Sequence, residues 1–134
     1  NEKKYNFKNL TTNILIPTSV IIVSSYYFFG KKLIEIIAGN GFVNSYTPML
    51  ILLIGYISYY LTFWTRHFLL LNNLILKHTK GRIINLVIFL ITSPLLISNY
   101  GFNGIAIAIS LSIFIQKIYE LSVYFKNKNI ENNI

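Results

Sequence analysis

Four apolar stretches recur along the chain, separated by short polar segments. They cover residues 10–29, 48–71, 83–97 and 105–124. Each holds roughly 15 to 24 residues, close to the ~20 residues that a helix needs to cross ~30 Å of hydrocarbon. The pattern predicts an all-α polytopic membrane protein with four transmembrane helices, in which residues 1–134 form one helical unit of a larger bundle.

The composition supports a membrane protein. Hydrophobic residues make up 54% of the 134 residues and charged residues only 12%, which is more apolar surface than a soluble domain of this size could bury. The net charge of +8 raises the possibility of nucleic acid as a partner. However, the basic residues lie at the ends of the apolar stretches and form no continuous face, so we expect membrane lipid and no nucleic acid.

The acidic residues are few, which narrows the chemistry. The chain has no Cys and no Asp, and its acids are Glu2, Glu35, Glu120 and Glu131. Paired-carboxylate catalysis and a metal site are therefore not expected, and neither are enzymatic activity or a cofactor. The chain begins at Asn1 rather than at Met, and we expect it to be a fragment of a longer transporter.

The distribution of Lys and Arg predicts the orientation. With the amino terminus in the cytoplasm, eight basic residues lie inside and two lie outside, since Arg66 and Lys117 fall within the spans. The inside residues are Lys3, Lys4, Lys8, Lys77, Lys80, Arg82, Lys126 and Lys128, and the outside ones are Lys31 and Lys32. Because Lys and Arg in short loops favour the cytoplasmic side, we expect both termini to be cytoplasmic.

Residues 30–48, between the first two spans, are too polar to cross the membrane. Leu33, Ile34, Ile36 and Ile37 lie opposite the charged residues on a helical projection. The pattern fits either a short interfacial helix that ends at residues 39–41 or an ordinary solvated loop.

Polar residues recur at three- and four-residue intervals on the second span, and they include Ser58, Thr62 and Arg66. A polar stripe is costly against lipid, so it faces either neighbouring helices or a watery transport path. A guanidinium inside a span costs ~2.5 to 3.5 kcal/mol on insertion scales. Arg66 therefore either extends to the headgroups or binds an anionic group such as a phosphate.

The fourth span carries a ridge at strict four-residue intervals: Gly104, Ala108, Ser112, Gln116 and Glu120. Its small residues predict a helix-packing seam, while Lys117 and Glu120, three residues apart, can pair with each other. A proton-relay role for Glu120 is a further possibility. Pro17 in the first span and Pro94 in the third are expected to kink their helices.

Four passages occur in an order that resembles a known family. The first passage is the Lys-containing segment of residues 3–8, which precedes a span with Pro17, and the second is residues 27–30 followed by residues 41–46. The third is the basic loop of residues 77–82 before residues 83–85, and the fourth is a turn with two glycines that leads into an Ala-rich helix at residues 99–108. Together they resemble the carboxy-terminal part of the polysaccharide biosynthesis and transport proteins. These are the O-antigen or lipid-linked oligosaccharide flippases of the multidrug and oligosaccharidyl-lipid exporter superfamily.

The resemblance implies a function in the bacterial inner membrane. Such exporters have two helical bundles, whose rocking moves lipid-pyrophosphate-linked sugars to the outer leaflet, and this chain would supply four helices of one bundle. Its partners would be membrane lipid, the lipid-linked oligosaccharide and the remainder of the transporter. Arg66 is the candidate anion contact, and Ser58, Thr62 and Gln116 are candidate sugar contacts. The alternatives are a small four-helix accessory protein and a drug or cation antiporter of the same superfamily.

Overall fold

A computed structural model describes residues 11–131, and nearly all of them are helical, with no strand among them. Helix α1 spans Ile16–Ala38, α2 Tyr46–Leu61, α3 Phe63–Leu71, α4 Ile75–Tyr100 and α5 Phe102–Glu131. Four segments are long and apolar enough to cross a membrane, namely Asn13–Ala38, Asn40–Leu71, Ile75–Tyr100 and Phe102–Asn127. The predicted all-α fold with four spans is confirmed. The predicted start of the first span at Leu10 and the basic lead of residues 3–8 lie outside the described residues.

The chain divides into two compact units, and the first ends at Tyr46. A π-helical segment, Thr11–Leu15, precedes α1, and Pro17 is the second residue of α1. The helix does not end near Phe29, as the hydropathy had suggested, but continues through Gly30 to Ala38. A Cβ atom at Gly30 would lie 3.0 Å from the Tyr46 ring, so Gly30 is a close-packing position rather than a helix terminator.

The polar segment after the first span is neither a separate interfacial helix nor an open loop. It is the last part of α1, which ends where predicted, at Gly39, with a positive φ of 89° that favours glycine. A 3-10 helix, Asn40–Ser45, then leads to Tyr46. The Tyr46 ring stacks on Tyr26 at 5.5 Å, and its hydroxyl donates a hydrogen bond to the carbonyl oxygen of Tyr27. These contacts return the chain against α1.

The second unit begins at Thr47 and contains most of α2 together with α3, α4 and α5. The predicted second span is interrupted at Thr62, which separates α2 from α3. The predicted basic loop of residues 77–82 is wrong, because α4 begins at Ile75 and includes all of these residues. Lys and Arg are good helix formers, and their long side chains extend from a helix to water, so hydropathy underestimates the length of such a helix.

Helices α4 and α5 form an antiparallel hairpin joined by Gly101, which has a φ of 55°. The connection is shorter than the predicted linker of residues 98–104. Gly104 lies against the backbone of Leu96, and a Cβ atom there would overlap the Leu96 carbonyl group. Glycine is therefore required for the two helices to approach this closely.

The distribution of side chains in the second unit is that of a multi-pass membrane protein. Large apolar side chains such as Leu71, Leu76 and Leu95 are exposed, whereas Thr65, Ala108 and Ser112 are almost completely buried. Small and polar residues at the helix contacts, with apolar residues outside, suit helices whose surroundings are hydrocarbon. Around the single Trp, the rings of Trp64 and Phe68 on α3 both meet Tyr124 on α5 edge-on at 4.6 Å.

Candidate functional site

The carboxyl group of Glu120 is the centre of a buried polar cluster in the second unit. Its side chain is 0% exposed, although it lies on α5 within a segment apolar enough to span a membrane. Oε1 accepts a hydrogen bond from Gln116 Nε2 at 2.8 Å and faces His78 Nδ1 at 3.1 Å. Oε2 accepts a hydrogen bond from Lys117 Nζ at 2.7 Å and a longer one from Thr65 Oγ1 at 3.3 Å. Both carboxyl oxygens are thus surrounded by hydrogen-bond donors.

Three helices contribute to this cluster, which we call the Glu120 cluster: Thr65 from α3, His78 from α4, and Gln116, Lys117 and Glu120 from α5. On α5 the spacings of three and four residues place the side chains on one face. On α4, a Cβ atom at Gly81 would lie 3.5 Å from Glu120 Oε1 and 3.3 Å from the Tyr119 ring. Since Gly81 has no side chain, α4 can approach the carboxyl group closely.

Lys117 is buried as deeply as its partner, with only 3% of its side chain exposed. Its ammonium group also lies 4.0 Å from the centre of the Tyr59 ring on α2. A cation over an aromatic face gains about 0.5 to 2 kcal/mol, the larger value applying when it is desolvated. Tyr59 therefore compensates part of the cost of burying this charge and brings α2 into contact with the cluster.

The hydrogen-bond donors and acceptors of the Glu120 cluster indicate which charge states of its side chains fit together. An ionised carboxylate only accepts hydrogen bonds, so the Nδ1 atom of a neutral His78 would carry its hydrogen toward Glu120. The charges of Glu120 and Lys117 then cancel. Thr65 has a single hydroxyl hydrogen, and its shorter contact is with the Thr62 carbonyl oxygen at 2.7 Å, so its bond to Glu120 is the weakest of the four.

The four predicted substrate-path residues have different surroundings in the structure. Gln116 belongs to the Glu120 cluster. Ser58 and Thr62 donate their hydroxyl hydrogens to carbonyl oxygens of their own helix, those of Gly55 and Ser58, at 2.6 and 2.7 Å. Such bonds satisfy hydroxyl groups inside a membrane without any ligand. The side chain of Arg66 is exposed on α3, and His67 beside it is exposed as well.

The predicted packing and kink residues are distributed over three helices. Gly104, Ala108 and Ser112 all lie on the buried face of α5. Pro94 lies inside α4, which continues on both sides of it. At Pro17 the backbone changes from a π-helical to an α-helical segment, so the irregular backbone precedes this proline.

An apolar groove of about 300 Å³ lies between α2 and α5. It is lined by Ile51, Ile54, Gly55, Ser58, Ile107, Ser110, Leu111 and Phe114. At its base a Cβ atom on Gly55 would come within 2.8 Å of the Ser110 Cα atom. The Ser110 hydroxyl donates to the Ile51 carbonyl oxygen at 2.9 Å, so the groove offers little unsatisfied polarity.

Sequence reasoning missed the role of His78, because it assigned this residue to a basic loop. The available signal was the shortage of acids: Glu120 is the only acid within an apolar stretch, and a buried carboxylate requires several donors. Lys117 and Gln116 were recognisable by their spacing from Glu120 on the same helix, whereas Thr65 reaches Glu120 from a different helix, α3.

Comparisons with known proteins add no family assignment. No family model, no curated protein and no solved structure matches this chain. Among the described residues, no group of three or more His, Asp or Glu side chains could hold a metal ion.

Proposed function

We propose that this chain is part of a membrane exporter that flips lipid-linked oligosaccharide units across the bacterial inner membrane. The observation that carries the proposal is the buried Glu120 cluster between membrane-spanning helices. Burying an ion pair costs several kcal/mol per ion before its attraction is counted, and apolar residues could pack the same space. Ionisable residues within spans therefore characteristically belong to substrate or ion pathways. The proposed substrate class comes from the four sequence passages, whose order resembles that of the lipid-linked oligosaccharide flippases.

Arg66 is the proposed contact for the anionic pyrophosphate of the substrate. It follows Thr65 directly, so it is adjacent to the cluster along α3, and its side chain is exposed. A guanidinium group binds phosphate oxygens through two parallel hydrogen bonds, which a lysine cannot reproduce. In this proposal Gln116 positions Glu120 and does not contact the substrate itself. The hydroxyl groups of Ser58 and Thr62 already donate to backbone carbonyls, so they can only accept hydrogen bonds from sugar hydroxyl groups.

Export by the full-length protein tests this proposal. In the bacterium that carries the gene, deletion should reduce surface polysaccharide and cause lipid-linked oligosaccharide to accumulate. Arg66→Ala should lower export about 10- to 100-fold, because a hydrogen bond to a charged group contributes ~1.5 to 3 kcal/mol. Arg66→Lys should restore only part of it.

The matched control is Arg82→Ala, which removes another exposed guanidinium group, on α4. It should leave export close to wild type at equal expression. Unchanged export in both Arg66 variants would remove this residue from the substrate path, and unchanged polysaccharide after deletion would refute the exporter function itself.

A second candidate is a drug or cation antiporter of the same superfamily. The observation that favours it is the complete burial of Glu120, since the sequence alone had placed this residue near the end of a span. Extrusion of a cationic dye with normal surface polysaccharide would support the antiporter. The length of the complete reading frame distinguishes the remaining alternative, a small four-helix accessory protein, from a transporter.

A further inference from the structure

Three lysines lie at the same end of the antiparallel hairpin formed by α4 and α5. Lys77 and Lys80 are in the first two turns of α4, and Lys126 is in the last two turns of α5. The two helix ends meet there, because Lys77 Nζ lies 3.4 Å from Asn127 Oδ1 and donates a long hydrogen bond to it. The spacing of three residues places Lys77 and Lys80 on one face of α4. We call these three lysines the Lys77 surface.

The ammonium group of Lys77 is held between the two helices. Its side chain is half-buried, whereas Lys80 and Lys126 are exposed. Asn127 is itself oriented by its own helix, since its amide nitrogen donates to the Val123 carbonyl oxygen at 2.6 Å. An ammonium group has three hydrogen-bond donors, so Lys77 keeps two for an acceptor outside the protein.

None of the side chains that the structure describes supplies a negative charge to this surface. The two ion pairs among them, with His78 and with Lys117, both belong to Glu120. The helix dipole does not compensate the charges on α4 either, because the amino-terminal end of a helix is its positive end and the first turn of α4 contains no acid. We therefore expect the counterion of these lysines to be a separate molecule.

Large apolar side chains directly next to the lysines are also exposed. Leu76, which precedes Lys77, is 75% exposed, and Phe125, which precedes Lys126, is 58% exposed. A free anion could pair with the ammonium groups but would leave these apolar side chains uncovered. A phospholipid satisfies both, because its acyl chains cover apolar side chains while lysines extend to its headgroup.

We propose that the Lys77 surface binds the phosphate headgroup of an anionic phospholipid, whose acyl chains lie along Leu76 and Phe125. Clusters of basic residues beside membrane-spanning helices attract anionic lipids, and each basic residue strengthens the attraction about 5-fold. The charge balance on α4 and α5 is then completed by the membrane itself. This binding surface does not rest on the proposed function in export.

Photolabelling of the full-length protein in phosphatidylcholine vesicles tests the surface. Phosphatidylglycerol and phosphatidylcholine are compared as probes that carry the same photoreactive group on an acyl chain. Peptides that contain Leu76 or Phe125 should be labelled more than about 5-fold more strongly by phosphatidylglycerol. Equal labelling of the wild type by both lipids would overturn the proposal, without any dependence on the folding of variants.

Paired substitutions test the lysines themselves. Lys77→Gln with Lys80→Gln should lower the ratio of the two labels at least about 5-fold, whereas Lys77→Arg with Lys80→Arg should retain it. The matched control, Lys31→Gln with Lys32→Gln, removes the same charge from two exposed lysines of the first unit and should leave the ratio unchanged. Equal losses in the Lys77 and Lys31 pairs would refute a local surface. Labelling by phosphatidylcholine should stay constant in all of them, which verifies that the variants are folded.

Salt and free phosphate distinguish the origin of the binding. Raising the salt concentration from about 0.1 M to about 1 M shortens the screening distance from ~10 Å to ~3 Å, so the preference for phosphatidylglycerol should fall. A preference that resists salt would refute the role of the charges. Excess inorganic phosphate at constant ionic strength should not reduce the labelling. Displacement by phosphate would show that the lysines bind the free anion, and would overturn the lipid as their ligand.

Discussion

Removing the charge of Lys117 while leaving Glu120 in place is expected to destabilise the protein strongly. At 2.7 Å the attraction between the two charges is about 6 kcal/mol with an effective dielectric constant of about 20. The desolvation of both ions offsets much of this gain, so the intact pair contributes far less. Lys117→Met nevertheless leaves a buried carboxylate without its counterion, for which we expect a loss of about 3 to 5 kcal/mol in the free energy of unfolding.

The double variant Lys117→Met with Glu120→Gln should be more stable than Lys117→Met alone. The amide of Gln at position 120 keeps an acceptor for His78 or Gln116 and carries no charge. We therefore expect the second substitution to recover about 2 to 3 kcal/mol, a coupling typical of residues in direct contact. The control is Lys126→Met, at an exposed lysine of the same helix, which should change stability by less than about 0.5 kcal/mol.

Unfolding by a denaturing detergent in mixed micelles can be followed through the fluorescence of Trp64, the only tryptophan. Its ring packs edge-on against Tyr124, four residues beyond Glu120 on α5, so the signal reports on the junction of α3 and α5. Stability of Lys117→Met within about 1 kcal/mol of the wild type would refute the reasoning. So would a double variant less stable than the single one.

Two further predictions concern packing and orientation. Gly55→Ala should lower the free energy of unfolding by about 1 to 3 kcal/mol, because its Cβ atom would press on the Ser110 backbone. Gly41→Ala, with no atom within 4 Å, should have little effect, and equal losses in both would contradict this account. Since the chain has no native cysteine, single cysteines at Lys80 and Asn99 can be labelled from either side of the membrane. Lys80→Cys should react only from the cytoplasm and Asn99→Cys only from outside, and the reverse pattern would refute the predicted orientation.

The membrane character and the number of spans followed from the sequence because they depend on composition and length alone. The ends of the helices were harder to predict from the sequence. Hydropathy placed the start of the third span at residue 83, whereas α4 begins at Ile75, because its first turns contain Lys, His and Arg at the boundary. The predicted end of the first span at Phe29 was also wrong, because α1 continues through Gly30, which lies against the Tyr26 and Tyr46 rings.

The ridge on the fourth span shows what helical periodicity can predict and what it cannot. Four-residue spacing placed Gly104, Ala108, Ser112, Gln116 and Glu120 on one side of a helix, and all five are buried in the structure. The pairing of Lys117 with Glu120 is equally local. Neither observation indicated which neighbouring helix the ridge would meet, because helical periodicity specifies a face and not its partner.

The sequence by itself determined that this chain is built from apolar helices suited to a bilayer, because hydrocarbon requires every backbone polar group to be satisfied within its own segment. Only the tertiary structure decided that Glu120 faces His78, a residue 42 positions away along the chain. That contact depends on the hairpin at Gly101 and on the missing side chain of Gly81, which together set how closely α4 and α5 approach. The charge of a buried group is governed by such distant neighbours, and they exist only after the helices have packed.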